Sequence, residues 1–489
     1  MLGKSILSYL PVNLANVITA FGTIAVLTRL LEPSDFGLYA IAMITLQFVH
    51  MGLFTWMEAA MARFQARAER ENDVASHLKT LYSLALMTGL IGFAVIMSVL
   101  IFAPINSDLA FVLFFALGSA SLQVLFNLGM EAHRAAHRIK RYSLTYSTMT
   151  LVSFTLGILF VIATPLKAAA PFAGIICGLV IVGGIDLIFM WKQMRGGQYQ
   201  PQKTKTYFKY GAPLCIGLLL SYALNSADVY LIGYLMGEAS AGEYNAGYNL
   251  ANRTLEILFV WVSMAVTPVA VTAMEKSGTE ESKKILKNYG ATLLWIAVPA
   301  ATGIALVSTD AGFILGEGVR DNAVMVMPWI AFAGLINGCM IYYVHRAFML
   351  SGQTQKFVWA LILPVISNLG LNVLLIPRYG LMGAVWATIF SYMLAIVIAT
   401  ILGRREYPLP IPFKAALEIS LCSALMALAV MNLPLGDMTP GFITLLIKGT
   451  AGILVYLLAC WIINAADCRT FIRGLKARLA SKPIPEPAE

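Results

Sequence analysis

Charge is scarce in this sequence: 12% of its 489 residues are Asp, Glu, Lys or Arg, and histidine occurs five times. The six cysteines (Cys177, Cys215, Cys339, Cys422, Cys460, Cys468) have no paired spacing. That speaks against a disulfide framework or a cysteine metal site and leaves them as small apolar packing residues. No GxxxxGK[ST] segment occurs, so ATP hydrolysis by this chain is not expected. Long polar loops are also missing. The longest outer connection, about Asp310 to Asn322, is too short for a domain, which argues against a polymerase or ligase with catalytic residues on such a loop.

What fills the sequence instead is apolar: 59% of residues are hydrophobic. A helix crossing roughly 30 Å of hydrocarbon needs about 20 such residues. Fourteen stretches qualify, near 5–30, 38–61, 80–102, 109–132, 143–164, 171–191, 210–236, 245–272, 289–309, 323–350, 358–376, 383–403, 414–433 and 441–463. With a cytoplasmic N-terminus, 27 of the 34 Lys and Arg fall on inner segments and five (Arg29, Lys167, Arg320, Arg378, Lys448) on outer ones. Arg253 and Arg346 lie within spans. A miscounted span would invert every later loop, so the positive-inside rule supports the count and puts both termini in the cytoplasm. The net charge of +9 is then topology charge and calls for no nucleic acid; the inner loops can lie on anionic lipid headgroups. The stretch behind Lys4 is too long for a cleaved signal.

A six-span unit recurs. Leu30-Leu31, Gly37 and Tyr39 match Leu235-Met236, Gly242 and Tyr244 at an offset of 205, which also relates Lys4 to Lys209. His133-Arg134-Ala135 and Pro165 match His345-Arg346-Ala347 and Pro377 at 212. An even number of spans makes the copies parallel. The expected fold is an all-α polytopic membrane protein: an N-lobe (1–191), a cytoplasmic linker (192–209), a C-lobe (210–403), an appended span pair (404–463) and a cytoplasmic tail (464–489). Arg469, Phe471, Ile472, Arg473, Leu475, Lys476 and Leu479 could form a basic amphipathic helix in that tail. Prolines 11, 213, 268, 299, 328 and 364 interrupt spans, and Pro11 and Pro213 take similar places in the first span of each unit.

Intramembrane charges cost about 2.5–3.5 kcal/mol at mid-bilayer on insertion scales, so each is a functional suspect. Asp228 near the outer end of span 7 and Arg253 near the outer start of span 8 fall at the same expected depth, with Glu256 on the face of Arg253. An Asp228–Arg253–Glu256 cluster either holds the hairpin together, serves as a switch or proton/cation site, or does both. Arg29, near the outer end of span 1, either snorkels to headgroups or meets phosphate through its rigid fork of donors. Arg346 and its repeat mate Arg134 offer the same two readings at inner helix ends, with His133 and His345 beside them. His50, mid-span 2, is a core histidine or a cavity residue; Glu58 and Asp186 are weaker candidates. His133 and His137 have chelating spacing, but the arginines around them speak against a metal. Glu131 is expected to pair with Arg134, and Glu418 with Lys414.

LTRLLEPSDFGLYA (Leu27 to Ala40), the stretch from Asp228 through Gly242-Glu243-Tyr244 to Arg253, and YGLMGAVWATIFSY (Tyr379 to Tyr392) resemble the bacterial polysaccharide transporter family. These are Wzx-type flippases, in the superfamily that includes MATE exporters and lipid II flippases. The resemblance runs over essentially the whole chain, and its motifs are diffuse. It implies two six-helix lobes around a central cationic cavity and inner-membrane translocation of a polyprenyl-diphosphate-linked oligosaccharide by alternating access. The partners would be that lipid-linked substrate, membrane lipids, H+ or Na+, a polysaccharide polymerase and a chain-length regulator, with no cofactor. On this reading Arg29, Arg253, Arg346, Arg134 and His50 bind substrate, and Asp228 and Glu256 couple the ion. A MATE-like cation/drug antiporter shares the fold but calls for acidic residues in the cavity; a scaffold of a glycan-assembly complex is a further alternative.

Overall fold

A computed structural model describes residues 2–102, 104–436 and 438–469, without the side chains of 2–8, 265–281 and 354. The expected tail helix falls almost wholly outside the described residues. Among these, all regular structure is helical. In chain order the helices are α1 (Leu2–Leu30), α2 (Pro33–Leu53), α3 (Thr55–Arg70), α4 (Val74–Phe102), α5 (Ser107–Ala135), α6 (Ile139–Ala163), α7 (Ala170–Gly178), α8 (Gly184–Met194), α9 (Pro201–Met236), α10 (Glu238–Leu306), α11 (Ser308–Ala311), α12 (Glu317–Cys339), α13 (Arg346–Leu350), α14 (Thr354–Tyr379), α15 (Leu381–Glu406), α16 (Phe413–Met431) and α17 (Phe442–Ile463). Wider π turns at Leu179–Gly183 and Met340–Val344 join α7 to α8 and lead from α12 towards α13. Thirteen expected spans coincide with helical segments long and apolar enough to cross a membrane. The other, 245–272, runs into side chains outside the description.

Two local expectations change. Span 2 is two helices, broken at Phe54 (φ −118°, ψ −31°) rather than at a proline. At the break the Trp56 indole N–H donates to Leu53 O (2.9 Å), and the Thr55 hydroxyl (3.5 Å) joins the Phe54 N–H (2.9 Å) on His50 O. The loop expected between spans 8 and 9 is helical throughout, because α10 runs unbroken through it. Its sequence is rich in the strong helix formers Glu and Lys, with Gly278 as its one weak point before Gly290. Within 192–209, α8 ends at Met194 and Pro201 starts α9, where a missing N–H is harmless.

The chain divides into two compact units, 1–250 with 314–323 and 355–391, and 251–313 with 324–354 and 392–489. In the first, Ala116, Ala120, Val124 and Leu128 give α5 one buried face, packed among Met57, Met61, Leu78, Leu81 and Phe172. The Lys203 ammonium donates to Asp73, just ahead of α4, and holds that carboxyl below its ordinary pKa. Gly380 (φ +59°) makes the reversal between α14 and α15, a conformation that disfavours other residues. Gly37 and Gly242, which the sequence offset of 205 relates, face one another. A Cβ on Gly242 would lie 2.7 Å from Pro33 O and 2.9 Å from Gly37 N, so α2 and α10 meet backbone to backbone there.

In the second unit, α16 and α17 pack through Cys422, Met426, Tyr456 and Cys460, and the Tyr456 hydroxyl donates to Trp295 O at 2.7 Å. Lys448 reaches the buried Asp310 carboxylate at 2.6 Å. The cysteines are unbridged, and three of them (Cys422, Cys460, Cys468) share this core.

Candidate functional site: a polar cavity in the first unit

Three helices carry polar side chains at four-residue spacing, which places each set on one face. On α1 these are Thr19 and Thr23; on α5, Gln123, Asn127 and Glu131; on α6, Tyr142, Tyr146 and Thr150. All eight line one cavity of about 510 Å³, completed by residues of α2, α3 and α7. Polar groups inside apolar helices are costly unless they face each other or a cavity, and these line one.

Glu58 reaches the cavity from the first turn of α3, just past the break at Phe54. Its Oε1 lies 2.8 Å from Nε2 of His50, on the last turn of α2, so the pair spans the break. That separation requires a proton on one of the two atoms. Asn127 Nδ2 donates to the same Glu58 oxygen at 2.9 Å and lies 3.3 Å from His50 Nε2. His50 Nδ1 is buried and has no hydrogen-bond partner among the described residues. Glu131 accepts from Arg134 at 2.6 Å, the expected pairing.

Tyr142 and Tyr146 are stacked, with ring centroids 5.8 Å apart and planes at 29°. Tyr9 meets Tyr142 edge-on at 5.8 Å. Gln123, Tyr142, Thr23 and Thr150 make no side-chain hydrogen bond to another described residue, so their donors and acceptors are available to whatever occupies the cavity.

Asp228 is buried in the same unit. It accepts from the Tyr244 hydroxyl at 2.5 Å, Thr388 Oγ1 at 3.2 Å and Val229 N–H at 3.0 Å, which ties α9, α10 and α15 together. Arg253 and Glu256 pair at 2.9 Å, and the partners of Asp228 include two neutral hydroxyls. Those hydroxyls satisfy the carboxylate without a second buried charge.

The arginine candidates lie elsewhere. Arg29 is exposed at the end of α1, with Nη1 3.4 Å from Ala25 O. Arg253 is half exposed. Arg346 donates to Tyr342 O (3.3 Å) and to the Ser263 hydroxyl, at the start of α13 after a π turn. None of them, and no lysine, lines the polar cavity, whose wall carries the Glu58 and Glu131 carboxylates. Asp186 is buried in a structural cluster, 2.9 Å from His133 Nε2 and 3.2 Å from the Arg141 guanidinium, which lies over the Phe189 ring. Lys414 stands 3.7 Å from Glu418, as its spacing predicts. Among the described residues no group of three His, Cys, Asp or Glu could hold a metal ion.

Sequence reasoning missed Gln123, Asn127, Tyr142 and Tyr146. Their four-residue spacing was the available signal.

A family model described as polysaccharide biosynthesis protein matches residues 2–274, more than half of the chain. The probable low-salt glycan biosynthesis flippase Agl15 of Haloferax volcanii is 21% identical over 243 residues, 50% of this chain and 50% of that protein. Lipid II flippase MurJ of Bacillus subtilis is 24% identical over 308 residues, 57% of this chain and 56% of that protein. The chain thus spans little more than half the length of these curated relatives. Among solved structures, lipid II flippase MurJ in an inward closed conformation superposes with a TM-score of 0.72 at 16% identity, covering 96% of this chain and 100% of that one. An inward-facing MATE family multidrug resistance transporter of the MOP superfamily gives 0.64 at 14%, covering 79% and 94%. These likenesses establish a shared fold. The family match over more than half of the chain makes it a member of the polysaccharide biosynthesis protein family, with thirteen helical segments long and apolar enough to cross a membrane among the described residues.

Proposed function

We propose that the chain is a flippase, not an enzyme, that moves a polyprenyl-diphosphate-linked oligosaccharide across a bacterial inner membrane for polysaccharide assembly. The family match over 2–274 carries this reading. Two similar proteins named as flippases, one of glycan biosynthesis and one of lipid II, point the same way. The glycan enters a polar interior while the polyprenyl chain stays in lipid. Alternating access then exposes the glycan on the other side, where a polymerase and a chain-length regulator would take it on. Arg29, Arg134, Arg253 and Arg346 are the groups for the diphosphate, each by a planar fork of donors. Asp228 and Glu256 are the groups for H+ or Na+ coupling. Asp228 suits that task because its partners, Tyr244 and Thr388, are hydroxyls that can rotate when a proton or cation arrives.

One observation favours a second reading, a MATE-like cation antiporter: the polar cavity carries carboxylates and no Lys or Arg. Proteoliposomes under an imposed H+ or Na+ gradient separate the two. The flippase reading expects movement of a polyprenyl-diphosphate glycan and no accumulation of a fluorescent organic cation. Cation accumulation without glycan movement overturns it.

A further inference from the structure

The 510 Å³ cavity has the chemistry of a carbohydrate site, and its size falls within the range of about 300–1,000 Å³ typical of small-molecule pockets. Sugar rings present two kinds of surface, a C–H face that packs on aromatic rings and a rim of hydroxyls that both donate and accept. The stacked Tyr142 and Tyr146 supply a continuous aromatic shelf for the first. The second needs amides and carboxylates along one wall. Gln123, Asn127 and Glu131 stand four residues apart on α5, with Glu58 beside Asn127. The Gln123 amide, free of any protein partner among the described residues, offers a donor and an acceptor together, the pair that adjacent hydroxyls match.

The wall also discriminates by charge. Its carboxyl groups are Glu58, held against His50, and Glu131, held against Arg134, and no Lys, Arg or His side chain is among the lining residues. Both accept hydrogen bonds from hydroxyls, and neither can donate one to an acidic sugar while ionised. We propose that this cavity is a subsite for uncharged, hydroxyl-bearing sugar rings, packed on Tyr142 and Tyr146 and hydrogen-bonded by Gln123 and Glu58, and that it selects against uronic-acid sugars. This rests on the flippase reading for its biological substrate; the binding itself does not.

The full chain in lipid nanodiscs is titrated with a neutral trisaccharide, maltotriose, and with trigalacturonate, read by saturation-transfer NMR and calorimetry. Maltotriose should bind at least about tenfold more tightly, the scale of one unfavourable charge contact. Gln123→Ala and Tyr146→Ala should each weaken maltotriose severalfold, with Tyr146→Phe restoring it because the shelf is kept. Glu58→Gln should narrow the preference by admitting trigalacturonate, a gain that misfolding cannot produce. Equal or tighter binding of trigalacturonate, no binding of maltotriose, or indifference to Gln123→Ala and Tyr146→Ala together overturns the site. Lipid-linked glycans separate this inference from the flippase reading. A chain that binds maltotriose on this shelf but translocates no lipid-linked glycan keeps the site and loses the flippase. One that translocates neutral and uronate-bearing glycans equally keeps the flippase and loses the site.

Discussion

Replacing Gly242 with alanine tests whether its contact with Gly37 is a gate or a permanent weld. In the structure an added methyl would sit 2.7 Å from Pro33 O, 2.9 Å from Gly37 N and 3.2 Å from Gly37 Cα, all backbone atoms that cannot rotate aside. Ordinary contact needs several tenths of an ångström more, so α2 and α10 must move apart as bodies. Overpacking of this kind costs about 1–3 kcal/mol. If the contact opens during transport, that cost falls on the closed arrangement alone and shifts the balance toward the open one by about 5–150-fold. The neighbouring Ala241, fully buried, provides the reporter as Ala241→Cys. A membrane-impermeant maleimide labels it in proportion to the open population, measured against the same chain without the added thiol. Gly242→Ala should speed labelling within that range while the protein stays folded. Unchanged labelling together with a lowered melting temperature would show a static contact and refute the reasoning.

Three further outcomes follow. Asp228→Asn keeps the shape but removes the carboxylate that Tyr244 and Thr388 serve, so ion-driven glycan movement should be lost while the protein stays in the membrane; gradient-driven flux in reconstituted vesicles checks it. Arg253→Ala should abolish glycan export with little loss of stability, because a half-exposed ion pair contributes about 0–1 kcal/mol; normal export removes Arg253 from the mechanism. Lys203→Met should lower thermal stability modestly, by about 0.2–1 kcal/mol, at neutral pH. The Asp73 carboxyl is held below its ordinary pKa in the folded protein, so this difference exists above the unfolded value near 3.9 and disappears as pH falls through the lower folded one. Melting curves of both proteins from pH 7 to pH 3 would show it, and a constant difference would exclude the ion pair as its cause.

The helical membrane fold was legible because hydropathy and charge act over twenty residues at a time; thirteen spans needed no tertiary information. Local ion pairs were legible for the opposite reason. Glu131 with Arg134, Arg253 with Glu256 and Lys414 with Glu418 follow from helical spacing alone. The hydroxyl partners of Asp228 were not legible, because Tyr244 and Thr388 lie 16 and 160 residues away and neutral groups leave no charge signal in the sequence. The break at Phe54 was invisible because the Trp56 indole and the Thr55 hydroxyl, rather than a proline, mark it. The cavity escaped notice through the search for charge: Gln123, Asn127, Tyr142 and Tyr146 are neutral, and only their shared faces reveal them.

The most direct test of lipid-linked glycan transport is the leaflet distribution of the substrate in vesicles holding the purified chain. A polyprenyl-diphosphate oligosaccharide is built into both leaflets, and an impermeant glycosidase is added outside. Protein-free vesicles protect the inner-leaflet half. The account predicts that vesicles with the chain expose nearly all of the glycan on a timescale of minutes while staying sealed to a small dye. Protection equal to that of protein-free vesicles, under every ion gradient tried, would contradict it.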